Sequence, residues 1–172
     1  VNRIPPATSR FDATEQGLAA TSRRHPGFPR PAATVVRLVK LLYKLTTDHG
    51  NERMREHGLT YAEYNVLMMI EASPDGAINP SQIADAASEK SANVTRLTQQ
   101  LVDKGLVERE PSPHDRRMWL LRLTEAGRAR VTALIPDISA VLLAYTRHLQ
   151  ADELEQLKRL LAKLLRGVEQ AQ

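Results

Sequence analysis

SANVTRLTQQLVDKGLVEREPSPHDRRMWLLRLTEAG, residues 91–127, decides the fold. Its first part carries apolar residues at helical spacing: Val94, Leu97, Leu101 and Val102 form one stripe, and Gly105 follows as a C-cap. LVERE and MWLLRL then read as two strands around a short turn, and Thr124 caps a further helix. The turn places Asp115, Arg116 and Arg117 just after Pro111 and Pro113. A charged tip there faces water or a partner.

The residues before this stretch complete a motif. In NPSQIADAA, 79–87, Asn79 caps, Pro80 suits the first helical position and Gln82 closes a box-like start. Ile83, Ala84 and Ala87 would point inward, and Ser88, Glu89 and Lys90 turn the chain into the next helix. Two short helices on a tight turn are a helix-turn-helix candidate. Further upstream, Thr60 and Glu63 form a capping box for a helix over Tyr61 to Glu71, and SPDG at 73–76 is a turn. Val35, Leu38, Val39, Leu42 and Leu45 predict an amphipathic helix to about His57, ended by Gly58.

The flanks read differently. Residues 1–31 hold half of the ten prolines and five arginines against two acids, which predicts an extended arm of net charge +3. After Thr124 a long helix is expected to kink or break at Pro136. A last helix runs from about Asp152, read as its cap, to Glu169. Leu154, Leu157, Leu160, Leu161, Leu164, Leu165 and Val168 give it a stripe too wide for one small lobe.

Composition narrows the function classes. The 172 residues, with 26% charged and 42% hydrophobic side chains, suit a globular, Leu/Val/Ala-rich helical protein. The absence of cysteine excludes disulfides, Cys-based zinc sites, Cys nucleophiles and thiol sensing. No Gly-rich phosphate loop, HExxH or nucleophile elbow is present, so no enzyme is expected. His49 and His57 lie near Glu52 and Glu56 without ligand spacing, so no metal is expected either. The sequence shows no apolar run near the roughly 18 residues of a membrane span and no signal-peptide core, so a cytoplasmic chain without a membrane partner is expected.

The outward face of the second motif helix carries Lys90, Ser91, Asn93, Arg96, Gln99 and Gln100, with Thr95 beside them. Asn and Gln match adenine, Arg matches guanine, and the hydroxyls of Ser91 and Thr95 suit phosphates. An ordinary solvated helix uses the same residue types. The hairpin that follows sharpens the reading, because Arg116 and Arg117 can enter a minor groove while Asp115 orients one of them.

At this point the sequence resembles the MarR family of winged-helix regulators. DRRMWLLRLTEAG resembles the family's Asp-Arg-Arg wing followed by Leu-x-Leu-Thr-x-x-Gly, filled here by Leu121, Leu123, Thr124 and Gly127. VTRLTQQLVDKGLVER resembles its recognition helix and first wing strand, and SRRHPGFP, 22–29, resembles the arm of the multidrug-efflux-repressor branch. The resemblance covers about Ala32 to Val168. The polar turn SEKSAN departs from it, since many relatives carry Leu-Ser there.

The fold expected is mostly α with a small β-hairpin wing: a winged helix-turn-helix plus a helical dimerisation region. Residues 1–31 form the arm, 32–57 a dimerisation helix, 58–124 the DNA-binding lobe with its wing at about 107–123, and 125–172 the C-terminal dimerisation helices. The unpaired leucine stripe predicts a homodimer, which suits double-stranded DNA with a pseudo-palindromic site. The resemblance implies a repressor released by a small aromatic carboxylate of benzoate or nicotinate type. Tyr43, Tyr61, Tyr64, Met68 and Met69 would supply its apolar surface, and Arg23, His25, Arg37 and Lys40 its cations. Trp119 is read as packing at the wing base. The alternative is a winged-helix adaptor that binds protein rather than specific DNA.

Overall fold

The computed structural model describes residues 9–87, 90–113 and 118–171. The chain divides into two compact units, 1–65 and 66–172, with the boundary inside one helix.

The first unit is a helical hairpin followed by the start of a third helix. Helix α1 spans Asp12–Arg24 and α2 spans Arg30–Arg55, and the two pack on each other. The predicted extended arm is therefore helical over 12–24. Its prolines sit at 5, 6, 26, 29 and 31 and leave 12–24 free to coil. Ser9 starts α1: its N–H donates to Asp12 Oδ2 at 2.9 Å, and its hydroxyl accepts from the Phe11 N–H. Phe11 is buried, and Leu18 is half-buried on the same side. Arg30 and Glu15 pair across the hairpin at 3.4 Å, but both are nearly half exposed and contribute little.

Gly58, at φ 68°, ends α2 as its sequence position indicates. The Thr60–Glu63 box opens α3, Tyr61–Glu71, with Glu63 N–H donating to Thr60 Oγ1 and Thr60 N–H to Glu63 Oε2. Asn51 on α2 accepts from the Tyr61 N–H at 3.0 Å. Gly50 gives the Tyr61 ring room to lie against α2.

The second unit continues through β1 (Ala77–Ile78), α4 (Pro80–Ala87), α5 (Ser91–Asp103), β2 (Val107–Pro111), β3 (Trp119–Leu123), α6 (Glu125–Thr146) and α7 (Ala151–Glu169). The strands form an antiparallel sheet in the order β1-β3-β2, with Val107 opposite Leu123 and Ile78 opposite Leu121. The architecture is mostly α with a small wing, and β1 adds a third strand to the predicted hairpin. A two-residue strand is too short to show a period. Arg122 on β3 clamps the sheet, pairing with Glu110 on β2 and donating to the Asp75 carbonyl at 2.7 Å.

Leu67, Ile70, Ile83, Val94, Leu97, Leu101, Leu121 and Leu134 are buried in this unit. Thr124 links its parts. The Thr124 hydroxyl donates to the Gly105 carbonyl and accepts from the Gly127 N–H, and its own N–H donates to the Leu106 carbonyl.

The C-terminal helices bring three corrections. Helix α6 runs through Pro136 without the break that is one of the two outcomes expected there. Pro136 is exposed, so the helical carbonyl it leaves without a donor can be satisfied by water. The same helix is long and apolar enough, by length and composition alone, to cross a membrane, contrary to the expectation that no run comes close. Its apolar residues divide instead: Val131 and Leu134 are buried, whereas Ile135, Leu142, Leu143 and Tyr145 stay exposed. Helix α7 has Gln150, not Asp152, at its N-cap, because Glu153 reaches back to accept from the Gln150 N–H at 2.8 Å.

Candidate nucleic-acid interface

Asn79 and Gln82 close the start of α4 reciprocally, at 2.9 and 3.0 Å. Helices α4 and α5 pack together, and α5 also packs on β2. Val94, Leu97, Thr98 and Leu101 are the buried side of α5. Lys90, Ser91, Thr95, Arg96, Gln99 and Gln100 are exposed and Asn93 is half-buried, so the predicted reading face is the face left to solvent.

Neighbouring side chains order that face. Arg96 Nη2 donates to Asn93 Oδ1 at 2.8 Å and Nη1 donates to Gln100 Oε1 at 2.9 Å. Gln99 donates to Asp103, and the Thr95 hydroxyl turns back to the Ser91 carbonyl. The wing strands pair out to Pro111 and Trp119, and Ser112 N–H donates to the Met118 carbonyl at 2.8 Å beyond them. Asp115, Arg116 and Arg117, like Ser88 and Glu89, lie outside the described residues.

An open cleft of about 530 Å³ is lined by Pro80, Thr95, Thr98, Arg109 and Trp119. Arg109 Nη2 stands 3.5 Å from Thr98 Oγ1. Trp119 is half exposed rather than packed away at the wing base. Sequence alone assigns Pro80, Thr98 and Arg109 to no binding site. The one signal there is Thr98, a hydroxyl inside an otherwise apolar stripe.

The residues lining this cleft include none of the predicted ligand residues. Arg23 and His25 are exposed at the end of α1, and Arg37, Lys40 and Tyr43 are exposed on α2. Tyr61 and Tyr64 are brought together with ring centroids 5.8 Å apart and nearly parallel planes. Burial, and secondarily Tyr61, raises the Tyr64 hydroxyl above the ordinary tyrosine range. Met68 and Met69 are half-buried on the later part of α3.

Comparison with known proteins places this geometry. The sequence pattern of the MarR family matches residues 57–118. The multiple antibiotic resistance protein MarR of Escherichia coli K12 is 34% identical over 133 residues, covering 75% of this chain and 89% of that protein. The chain belongs to the MarR family. The transcriptional repressor MprA of E. coli K12 is 28% identical over 162 residues, covering 94% of this chain and 92% of MprA. A mutant MarR from E. coli, crystallised in complex with operator DNA, superposes with a TM-score of 0.69 at 30% identity, covering 76% of this chain and 93% of that one. The helix-turn-helix and wing described above are thus a MarR-family winged helix.

Proposed function

We propose that this protein is a sequence-specific, DNA-binding transcriptional regulator, a homodimer that represses and is released by a small aromatic carboxylate. The observation that carries this reading is the ordered polar ridge of α5, standing exposed on a MarR-family winged helix. Such a ridge fits the major groove, where bases present distinct donors and acceptors. Arg116 and Arg117 then reach the adjacent minor groove, whose negative potential favours arginine. Arg116→Ala and Arg117→Ala are each expected to weaken operator binding about tenfold and to lower the salt slope by about two units, since each cation lost contributes about 0.9 and the dimer loses one from each wing. Anisotropy titrations at several salt concentrations measure both, and unchanged affinity in both variants rejects the wing contact.

Dimerisation is supported by the apolar surface left open to solvent in the single chain. Helix α7 buries no residue, and α2 and α6 also expose apolar side chains. A two-fold pairing suits half-sites that lie about 34–36 Å apart, one turn of DNA.

Two sets of cations are candidates for the effector. The cleft beside α5 offers Arg109 for a carboxylate and the Trp119 ring for an aryl group, while the Thr95 and Thr98 hydroxyls donate to the Ser91 and Thr95 carbonyls. Arg23, His25, Arg37 and Lys40 offer charge but stand in solvent. Arg109 is exposed as well, but the cleft is the better site, because it sets a cation and an aromatic ring around one space. An acid there touches α5 directly and favours any arrangement of the helix that fits it better, lowering DNA affinity by that difference alone. Trp119, the sole tryptophan, reports occupancy. Benzoate is expected to shift its fluorescence, and Arg109→Ala to weaken binding about tenfold or more, the value of one charged hydrogen bond. A loss seen with Arg37→Ala and Lys40→Ala instead assigns the acid to α2.

A further inference from the structure

The ridge on α5 is one unit rather than three independent readers. Residues 93, 96 and 100 follow one another at three and four positions, on one face of the helix. Arg96 lies between the other two and gives one hydrogen bond to each, toward the preceding turn and toward the following one. Arginine only donates, so both amides must turn their oxygens to it.

That use of the oxygens has a consequence for base recognition. An amide reads adenine by accepting from N6 and donating to N7 at once. Asn93 and Gln100 each give one oxygen lone pair to Arg96, which sets the orientation of the amide, so either can read adenine only where that fixed orientation also meets N6 and N7. Arg96 in turn spends two of its five N–H groups and keeps three in a fixed direction. Guanine offers two acceptors in the major groove, N7 and O6, whereas adenine and cytosine each present an amino donor that would oppose an N–H. Gln99, by contrast, uses its amide nitrogen, which donates to Asp103.

We infer that Arg96 is the guanine-reading residue of this protein, and that Asn93 and Gln100 are positioning residues that aim it rather than contacts to bases of their own. The inference rests on the DNA-binding reading above. It requires a guanine at one position in each half-site, and it makes the preference for that guanine depend on residues that never touch it. Holding a flexible side chain in one rotamer before binding lowers the entropy lost on contact, which raises affinity for the matching base without a new contact.

The test is competitive binding of the full-length protein to operator duplexes carrying each of the four bases at every half-site position. Wild type is expected to prefer guanine at one position about tenfold or more, the discrimination typical of a bidentate arginine contact. Arg96→Ala removes that preference. Asn93→Ala and Gln100→Ala each reduce it at the same position, by about threefold, and change nothing further when Arg96 is already alanine, since positioning residues couple to what they position. Gln100→Glu keeps an acceptor for Arg96 and keeps the preference for guanine. A loss of discrimination at a different position, above all at an adenine, in Asn93→Ala or Gln100→Ala overturns the inference, as do effects additive with Arg96→Ala. Absence of any sequence preference in wild type is a separate result, and it overturns the DNA-binding reading as well.

Discussion

Glutamate at both Leu161 and Leu165 is expected to turn the proposed dimer into a monomer and to reduce operator affinity about 100-fold or more. Leu154, Leu157, Leu161, Leu165 and Val168 follow one another at three- and four-residue spacing along α7. All are exposed in the single chain, Leu165 by 58% and Val168 by 53%. Burying a leucine contributes about 1.5–3 kcal/mol. In a two-fold interface each substitution counts twice, and it replaces that gain with a carboxylate that must be desolvated or repelled. Because no residue of α7 is fully buried within its own chain, the helix and the winged lobe should persist in circular dichroism. Sedimentation at micromolar concentration measures the assembly. Lys158→Gln is the control, since Lys158 is exposed and its ion pair is with Glu155 on the same helix. A double variant that still sediments as a dimer removes α7 from the interface.

The largest expected loss of stability is at Gly127. A Cβ there would fall on the carbonyl oxygen of Leu106. That carbonyl cannot move aside freely, because it accepts from Thr124, the residue whose hydroxyl caps the helix through Gly127 itself. Alanine must therefore push the start of α6 away from the start of β2, at a cost of about 3 kcal/mol, the upper end of the usual overpacking range. Urea unfolding followed by circular dichroism measures it as a lowered midpoint. Gly17, in the middle of exposed α1 with open space where a methyl would sit, gives the opposite sign: alanine should stabilise by about 0.5–1 kcal/mol. Equal stability of the Gly127→Ala variant and wild type would refute the close approach of α6 to β2.

The elements with local chemistry are legible in the sequence. Thr60 with Glu63, Asn79 with Gln82, and Thr124 each make a cap whose partners lie within three residues, so spacing alone reveals them. Gly58 and Gly105 end their helices for the same kind of reason, since both need a positive φ. What stays hidden depends on longer range. Helix α1 is masked by the prolines on either side of it, and its stripe, Phe11 and Leu18, is too sparse to stand out. Strand β1 exists because Ala77 and Ile78 find Arg122 and Leu121 across the sheet, far along the chain. Pro136 reads as a break, but an exposed helix tolerates it.

The site divides in the same way. The reading face of α5 can be named residue by residue from periodicity, because a helix fixes which side chains share a side. The hydrogen bonds among Asn93, Arg96 and Gln100 cannot, because they depend on rotamers. Nor can the cleft. Pro80, Thr98, Arg109 and Trp119 come from four elements and meet only through the fold. The sequence points instead to charged and aromatic residues clustered along the chain, such as Arg37, Lys40 and Tyr43, which periodicity groups together whether or not they enclose a space.

The most direct test of the central claim is the salt dependence of binding to a duplex from the intergenic DNA beside this protein's own gene, measured by fluorescence anisotropy against a scrambled duplex. The account predicts two protomers per duplex, strong preference for the genuine sequence, and a steep decline of affinity with salt as counterions released by the bound protein are driven back. Weak binding, indifferent to sequence and to salt, would contradict it and leave the winged helix as a surface for a protein partner.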